Sequence, residues 1–302
     1  MIALVVDGEC YNMLGLLIGG GKNIHKEARD WANRVYLNGG RVSNSTLKAV
    51  SDFCMRIDSA GIRDRFIRLN LFCGSNLNAV VVPLYTSLNF KNNLIGNYAI
   101  DTNMSFIASD YNETGNSGGL KSDNSYTKGI DTSIYDTTFA SYATSQDAHM
   151  SLYVNTYDPS GENYLMGLYD YCNCNDLYIS AGSTSATCEM FGDCGSSNTT
   201  NASSSTSTGL VTLSSYSTSI TLYMNNTLFS TSTTVFNNNT QGNDTLSIFG
   251  LFYQDFGCGG SNFSGSNIRC SGYSFGKGLS ASQVSSYNEA MKQFQTALGR
   301  NA

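Results

Sequence analysis

Residues 219–233 read SITLYMNNTLFSTST. Ser219–Met224 alternates apolar and polar side chains. Leu228–Thr233 follows after Asn225-Asn226, a pair that tolerates the positive φ of a tight hairpin turn. Period-two alternation around such a turn predicts two antiparallel strands, each with one buried face. The same texture extends outward in both directions. Upstream, Ala79–Tyr85 and His149–Tyr157 read as strands, and Tyr164–Tyr171 and Leu177–Ala181 as a pair. Downstream, Thr245–Tyr253 and Arg269–Phe275 complete the set. Segment 195–209, GSSNTTNASSSTSTG, is of low complexity and reads as a surface loop.

Helical periodicity is confined to the two ends of the chain. After an apolar, Gly-rich stretch over 1–24, the spacing of Ala28, Trp31, Ala32 and Val35 predicts a helix over about 25–37. A second, about 46–60, has Ser43 or Ser45 as N-cap, Leu47, Val50, Phe53, Cys54 and Ile57 on one face, and Gly61 to close it. A short helical turn over 62–68 gives way to the apolar run Leu69–Cys73. At the far end, Ser280 and Gln283 form a capping box. Val284, Tyr287, Met291, Phe294 and Leu298 then line one face of an amphipathic helix. Helices, then many short strands, then one helix is the order of an antiparallel β-sandwich with helical elements packed on it.

Composition agrees. Of 302 residues only 13% are charged, 6 are Glu and 8 Lys, while Gly (30), Tyr (19) and Phe (15) are abundant. A helical bundle would need far more Ala, Leu, Glu and Lys. The net charge of −6 hides an asymmetry. Residues 22–68 carry ten cations against five anions, and the rest of the chain seven against eighteen. The basic segment is either a solvated helical face or a docking surface for an acidic partner. Its candidate anchoring residues are Arg29, Arg34, Arg41, Arg63, Arg65 and Arg68. Acids interrupt the run and no nucleic-acid motif accompanies it, so nucleic acid is not expected as a partner. The first cation is Lys22, so no positive n-region precedes an apolar core of the signal-peptide kind. The longest apolar run, Met13–Gly20, is far short of the ~20 residues that span a bilayer. A chain made in the cytoplasm and not inserted in a membrane is the expectation.

Residue types for catalysis are scarce. Retaining glycosidases on a sandwich need carboxylates ~5 Å apart in one cleft. Glu113, Glu162 and Glu189 each lack a second acid two residues away. Only His25 and His149 are present. His25 reads as exposed at a helix entry, and His149, opening a strand, as structural, with no nucleophile elbow to serve it. No phosphate-binding or dinucleotide fingerprint occurs. A non-enzymatic chain with no cofactor is therefore expected, calcium on Asx loops excepted. Asp101-Thr-Asn103, Asp110-Tyr-Asn112 and Asp170…Asn173…Asp176 offer oxygen ligands, although such loops serve as Asx-turns too. Of nine cysteines, Cys54 reads as a buried thiol. Cys172, Cys174, Cys188 and Cys194 form a cluster open to three readings: inert thiols, disulfides, or a metal site with unusual spacing. Cys258 and Cys270 make a further candidate disulfide across a loop.

Several stretches together resemble tailed-phage and prophage virion proteins. They are Asp30-Trp31-Ala32-x-Arg34-Val35, Asn38-Gly39-Gly40, Arg68–Gly74, Val82-Pro83-Leu84-Tyr85, Asp101-Thr-Asn103, Glu113-Thr-Gly115 and Gly118-Gly-Leu120. At the end of the chain, Tyr273–Gly276, Gly278-Leu279 and Phe294–Arg300 join them. The hairpin Leu222–Asn226 stands where such folds carry a Gly-ended turn, with Asn226 replacing the Gly. The resemblance implies a concanavalin A-like, laminin-G-like jelly roll. The expected fold is thus a mainly β, antiparallel jelly-roll sandwich with N-terminal helices and one C-terminal amphipathic helix. Residues 1–74 would be an arm and helical anchoring segment, and 75–302 the sandwich with its terminal helix. The resemblance also implies a structural virion protein on the capsid exterior, collar or tail, contacting other virion proteins and copies of itself. The alternative is a lectin-like module that holds host surface glycans.

Overall fold

A computed structural model describes residues 4–6, 9–11, 24–86, 100–123, 127–135, 138–139, 141–144, 146–157, 163–170, 175–181, 186–192, 200–202, 208–232, 245–254 and 261–300. The helices are α1 (Lys26–Leu37), α2 (Asn44–Ser59), the single turn α3 (Leu77–Val80) and α4 (Ala281–Ala297). The strands begin with β1 (Leu4–Val6), β2 (Glu9–Tyr11), β3 (Phe66–Asn70), β4 (Thr102–Met104), β5 (Tyr111–Asn112), β6 (Gly119–Lys121) and β7 (Gly129–Tyr135). They continue with β8 (Asp147–Tyr157), β9 (Asn163–Asp170), β10 (Asn175–Ala181), β11 (Ala186–Gly192), β12 (Thr200–Ala202) and β13 (Gly209–Tyr216). The last are β14 (Ser219–Met224), β15 (Thr227–Ser232), β16 (Thr245–Ile248), β17 (Gly250–Gln254), β18 (Ser261–Gly265) and β19 (Ile268–Gly276). None of the described helices is long and apolar enough to cross a membrane.

Among the described residues, β1 and β2 form a two-stranded sheet of their own. The other strands form two sheets. The first runs β15-β14-β13-β8-β19-β6-β5, with β3 also on β19. The second runs β12-β11-β10-β9-β16-β7-β4, with β17 and β18 attached beside β9. Pairing is antiparallel throughout except for one parallel contact, Tyr253 against Tyr169. The chain passes repeatedly from one sheet to the other, so each sheet is built from strands distant in sequence. The mainly β, antiparallel sandwich expected from the sequence is what forms.

Side chains sort by parity. From β8, Met150, Leu152 and Val154 enter the core between the sheets, joined by Val211, Leu213, Ile220 and Leu222 of the same sheet and by Ile130, Ile134, Met166, Ile179 and Ile248 of the other. The opposite parity of the first sheet faces a second core with the helices, where Tyr153 and Leu210 meet Trp31, Val35, Phe53, Ile57, Tyr287, Met291 and Phe294. The molecule therefore has three layers: helices, first sheet and second sheet. Where α4 approaches, the first sheet presents small buried side chains, Ser151, Thr212, Ser214 and Ser274. Gly276 is required for a related reason, since a Cβ there would fall on the Arg65 carbonyl oxygen.

The hairpin forms as read. Asn225 and Asn226 take φ of 48° and 67°, and Asn225 also accepts from Leu210 N at 2.9 Å. The N-caps are Ser43 and Ser280, the latter in a full capping box with Gln283. The buried faces of α1, α2 and α4 contain the predicted residues.

Four expectations need correction. Ala79–Tyr85 is not a strand: Asn76 caps the turn α3, and Pro83 has no N–H to give a ladder. Its carbonyls are taken instead by side chains, Val82 O by Trp31 Nε1 at 3.0 Å, and Pro83 O and Leu84 O by Arg34 at 2.8 and 2.9 Å. The span Thr245–Tyr253 breaks at Phe249, whose φ is 72°. Segments 186–192 and 200–202 are strands extending the second sheet, so the stretch read as a loop over 195–209 includes sheet. Finally, the division at 74/75 runs through one sheet and one core. β3 hydrogen-bonds β19, and α1 and α2 share their apolar core with α4.

Phe294 is 2% exposed and meets Phe53 edge-on at 6.0 Å. Phe294→Ala is expected to cost about 3–5 kcal/mol in urea unfolding. A loss below about 1 kcal/mol would show that α4 contributes little to the fold.

Candidate functional site

Four arginines of the basic segment are turned inward, while Lys26, Arg29, Arg41, Lys48 and Arg56 are exposed. Arg68 is 1% exposed; its Nη2 donates to Thr132 O at 3.1 Å and its Nη1 lies 3.7 Å from Asp101 Oδ1. Asp101 also accepts from Asn70 Nδ2 at 2.9 Å and from Tyr273 OH at 2.6 Å. Burial raises its carboxyl above the usual range, opposed by the Arg68 charge and these two donors. Arg34 holds the α3 segment, and burial lowers its guanidinium to about 10, still protonated at neutral pH. Arg63 pairs with Glu27 Oε1 at 2.7 Å and lies 3.8 Å above the Tyr85 ring. Arg65 bonds Asp147 at 3.1 Å and Gly278 O at 3.3 Å. Four of the six candidate anchoring residues thus bond backbone or carboxylates of the same chain. Only Arg29 and Arg41 of the six are exposed, and Arg41 lies 4.9 Å over the Tyr36 ring. In the sequence Asp101 stood as a candidate calcium ligand, and Asn70 and Tyr273 only within the family resemblance, none of them as a partner of Arg68. The signal was Arg68 itself, a charge in the middle of an apolar strand. Removing one partner of such a pair strands the other in the core. Arg68→Met should lower stability by about 3–5 kcal/mol, with part of the loss recovered on adding Asp101→Asn, as measured by denaturant unfolding.

His149 is sealed in the second core. Nδ1 meets Lys277 O at 2.6 Å, Nε2 meets Ser274 Oγ at 3.0 Å, and Phe66 stands edge-on at 5.4 Å. Burial lowers it to about 4, so it is neutral and has no path to substrate. Between the ordinary value of 6.5 and about 4, the unfolded chain binds the extra proton and the native chain does not. Stability from this group is complete above pH 6.5 and falls on acidification, by roughly 3 kcal/mol at pH 4. The difference in unfolding free energy between the wild type and His149→Gln, followed from pH 7 to 4, isolates it. His25 is half-buried rather than exposed: it caps α1, accepting from Glu27 N at 3.2 Å, and its Nε2 lies 2.9 Å from Asp58.

Cys270 is a free, fully buried thiol facing the inter-sheet core, which corrects its proposed link to Cys258. Burial pushes its pKa well up, as it does for Cys73. Cys188 lies on β11 between Ile179 and Thr200. Cys172, Cys174, Cys194 and Cys258 are outside the described residues. Of the calcium loops, Asp101 is committed to the buried network. Asn103 Oδ1 accepts from Phe106 N, and Asp110 bonds Ile107 N and Lys128. Their oxygens close local turns. Asp170 is the last residue of β9 and Asp176 the second of β10, and Asn173 is outside the described residues.

The second sheet is different, because no described helix packs on its outer side. Asp131, Ser133 and Tyr135 of β7, Tyr164 of β9, Tyr178 and Ser180 of β10 and Thr245 of β16 all have partly or largely exposed side chains there. Tyr164 and Tyr178 meet edge-to-face at 5.7 Å across the β9/β10 ladder. Opposite Tyr178 stands Gly167, with φ 142°, followed across the ladders by Ser247 and then Asp131. A glycine in mid-strand leaves bare backbone beside the phenol, a place where another molecule can approach closely. With strands ~4.8 Å apart, Tyr178 and Asp131 flank a shallow strip about 14 Å wide.

No protein-family model matches the sequence, and no curated protein matches it significantly. Solved structures do resemble it. One is of botulinum neurotoxin type C, a toxin whose entering of cells depends upon interaction with two ganglioside molecules. It is 10% identical over 77% of this chain and 53% of that one, with a TM-score of 0.51. A second is a Trypanosoma rangeli sialidase mutant displaying trans-sialidase activity, 12% identical over 84% of this chain and 40% of that one, TM-score 0.47. A third is the CBM40 domain of Ruminococcus gnavus IT-sialidase bound to α2,3-sialyllactose, 13% identical over 56% of this chain and 95% of that one, TM-score 0.41. The chain spans about half the length of the toxin structure. At these identities the likeness is one of fold.

Proposed function

We propose that the protein is a non-catalytic, lectin-like module that binds glycans on the outer face of its second sheet. The observation that carries this reading is the Tyr164–Tyr178 pair beside Gly167 on the face the helices leave uncovered. A pyranose ring has apolar C–H faces and a polar rim. An aromatic face packs against the former while Asp131, Ser133, Ser180 and Thr245 offer hydrogen-bond partners to the latter. The fold's likeness to a ganglioside-dependent toxin supports the reading without specifying a sugar. The lack of a second acid two residues from Glu113, Glu162 or Glu189 and the sealing of His149 support a binding role over a hydrolytic one. The sequence resemblance to tailed-phage virion proteins supplies a setting, a particle exterior where such a face meets host glycans beside other virion proteins and copies of the same chain.

Titration calorimetry with acidic (sialylated) and neutral oligosaccharides tests this. Tyr178→Ala and Tyr164→Ala are each expected to weaken binding about tenfold, the worth of one lost aromatic contact, without changing the melting temperature appreciably. Binding of no glycan in either class, or equal affinity in both variants, overturns the assignment of the face.

A further inference from the structure

The junction of α1 and α2 carries a second site, independent of the glycan face. His25, Glu27 and Cys54 bring a ring nitrogen, a carboxylate oxygen and a thiol sulfur within 4.8 Å of one another. We propose that these three side chains bind a divalent transition-metal ion of the zinc class.

The chemistry of the set selects the ion. Nitrogen, oxygen and sulfur together suit zinc and its neighbours, whereas calcium and magnesium take oxygen alone. Bond lengths of ~2.0–2.3 Å place the ligand atoms of a tetrahedral ion ~3.3–3.8 Å apart, so side-chain rotations closing about 1 Å complete the geometry.

A buried oxygen at this spot has no partner. Glu27 Oε1 is held by Arg63, yet Glu27 Oε2 is buried and unbonded. The hydroxyl of the fully buried Tyr85 stands beside the Cys54 thiol. A buried polar atom left unpaired costs ~1–3 kcal/mol, so native structures rarely leave one. A cation would engage the carboxylate oxygen directly.

The surroundings are those of a positioned ligand set. Asp58 lies 2.9 Å from His25 Nε2, the carboxylate–histidine arrangement that fixes a metal-binding imidazole, so Nδ1 is the nitrogen for the ion and gives up its 3.2 Å cap bond from Glu27 N on binding. The His25 backbone N–H is tied to Ser51 Oγ at 2.8 Å, joining the two helices. Charges facing the spot are Glu27, Asp58 and Arg63, one net negative charge. Cys54 gives its proton to solvent on binding and so adds a second, matching a dication. Cys54 is 0% exposed, but the His25 and Glu27 side chains are 20% and 29% exposed and form the way in.

The test uses the full chain, reduced and stripped of metal, titrated with Co²⁺ and then with Zn²⁺ as competitor. One Co²⁺ per chain at this site should give tetrahedral visible bands and a near-ultraviolet thiolate charge-transfer band, both bleached by Zn²⁺. His25→Gln and Glu27→Gln should each weaken the binding at least tenfold, and Cys54→Ala should abolish the thiolate band. Should Cys54→Ala fail to fold, the two partly exposed ligand positions decide the question. Absence of binding overturns the proposal. So does a thiolate band that persists in a folded Cys54→Ala protein, or affinity unchanged in both His25→Gln and Glu27→Gln, since other cysteines would then be the ligands.

Discussion

β19 hydrogen-bonds β8 along one side and β3 and β6 end to end along the other, and the sheet it centres is buried on both faces. That double burial constrains the rest. One face must fill the space between two sheets, so it carries Met150, Leu152, Val154, Tyr273 and Phe275. The other must let α4 come close, so it carries serines, threonines and glycines whose hydroxyls find partners in the sheet and in the chain entering α4. Ser214, for example, donates to Leu279 O and accepts from Leu279 N. A layer of small hydroxyl side chains gives close approach without leaving polar atoms unpaired.

The same constraint explains the basic segment. β3 enters a position with core on both sides, and Arg68 goes in with it. A buried guanidinium needs its charge matched, which Asp101 does from 3.7 Å, and Thr132 O takes the Nη2 donor. Arg34 and Arg65 perform similar work at the margins, stitching the 82–84 segment and the β19–α4 connection to the N-terminal elements. Four arginines of residues 22–68 are thus an internal scaffold, while Lys26, Arg29, Arg41, Lys48 and Arg56 stay exposed.

Layering also divides the surface by task. The helices close one side of the first sheet and leave the outer side of the second without a described helix. There the sequence supplies tyrosines and short polar side chains instead of apolar ones, with Gly167 leaving room beside Tyr178. On the opposite side, the α1–α2 junction gathers His25, Glu27, Cys54, Asp58, Arg63 and Tyr85 from three stretches of chain. The two sites share no residue, so a ligand at one need not disturb the other.

Local patterns settled a good deal by themselves. The Asn225-Asn226 turn, the capping residues Ser43 and Ser280, the buried stripes of α1, α2 and α4, and the sandwich class were legible, because each depends on neighbours three or four residues away or on parity along a strand. Contacts between distant segments were decided only by tertiary structure. Ala79–Tyr85 is apolar enough for a strand, yet its carbonyls bond Trp31 and Arg34, fifty residues earlier. Cys270 seemed pairable until its strand placed it between the sheets. His25 read as exposed until α2 brought Asp58 and Ser51 beside it. The tyrosine face could not be seen at all, since which side of the second sheet the described helices leave depends on where they pack, and no local spacing encodes that.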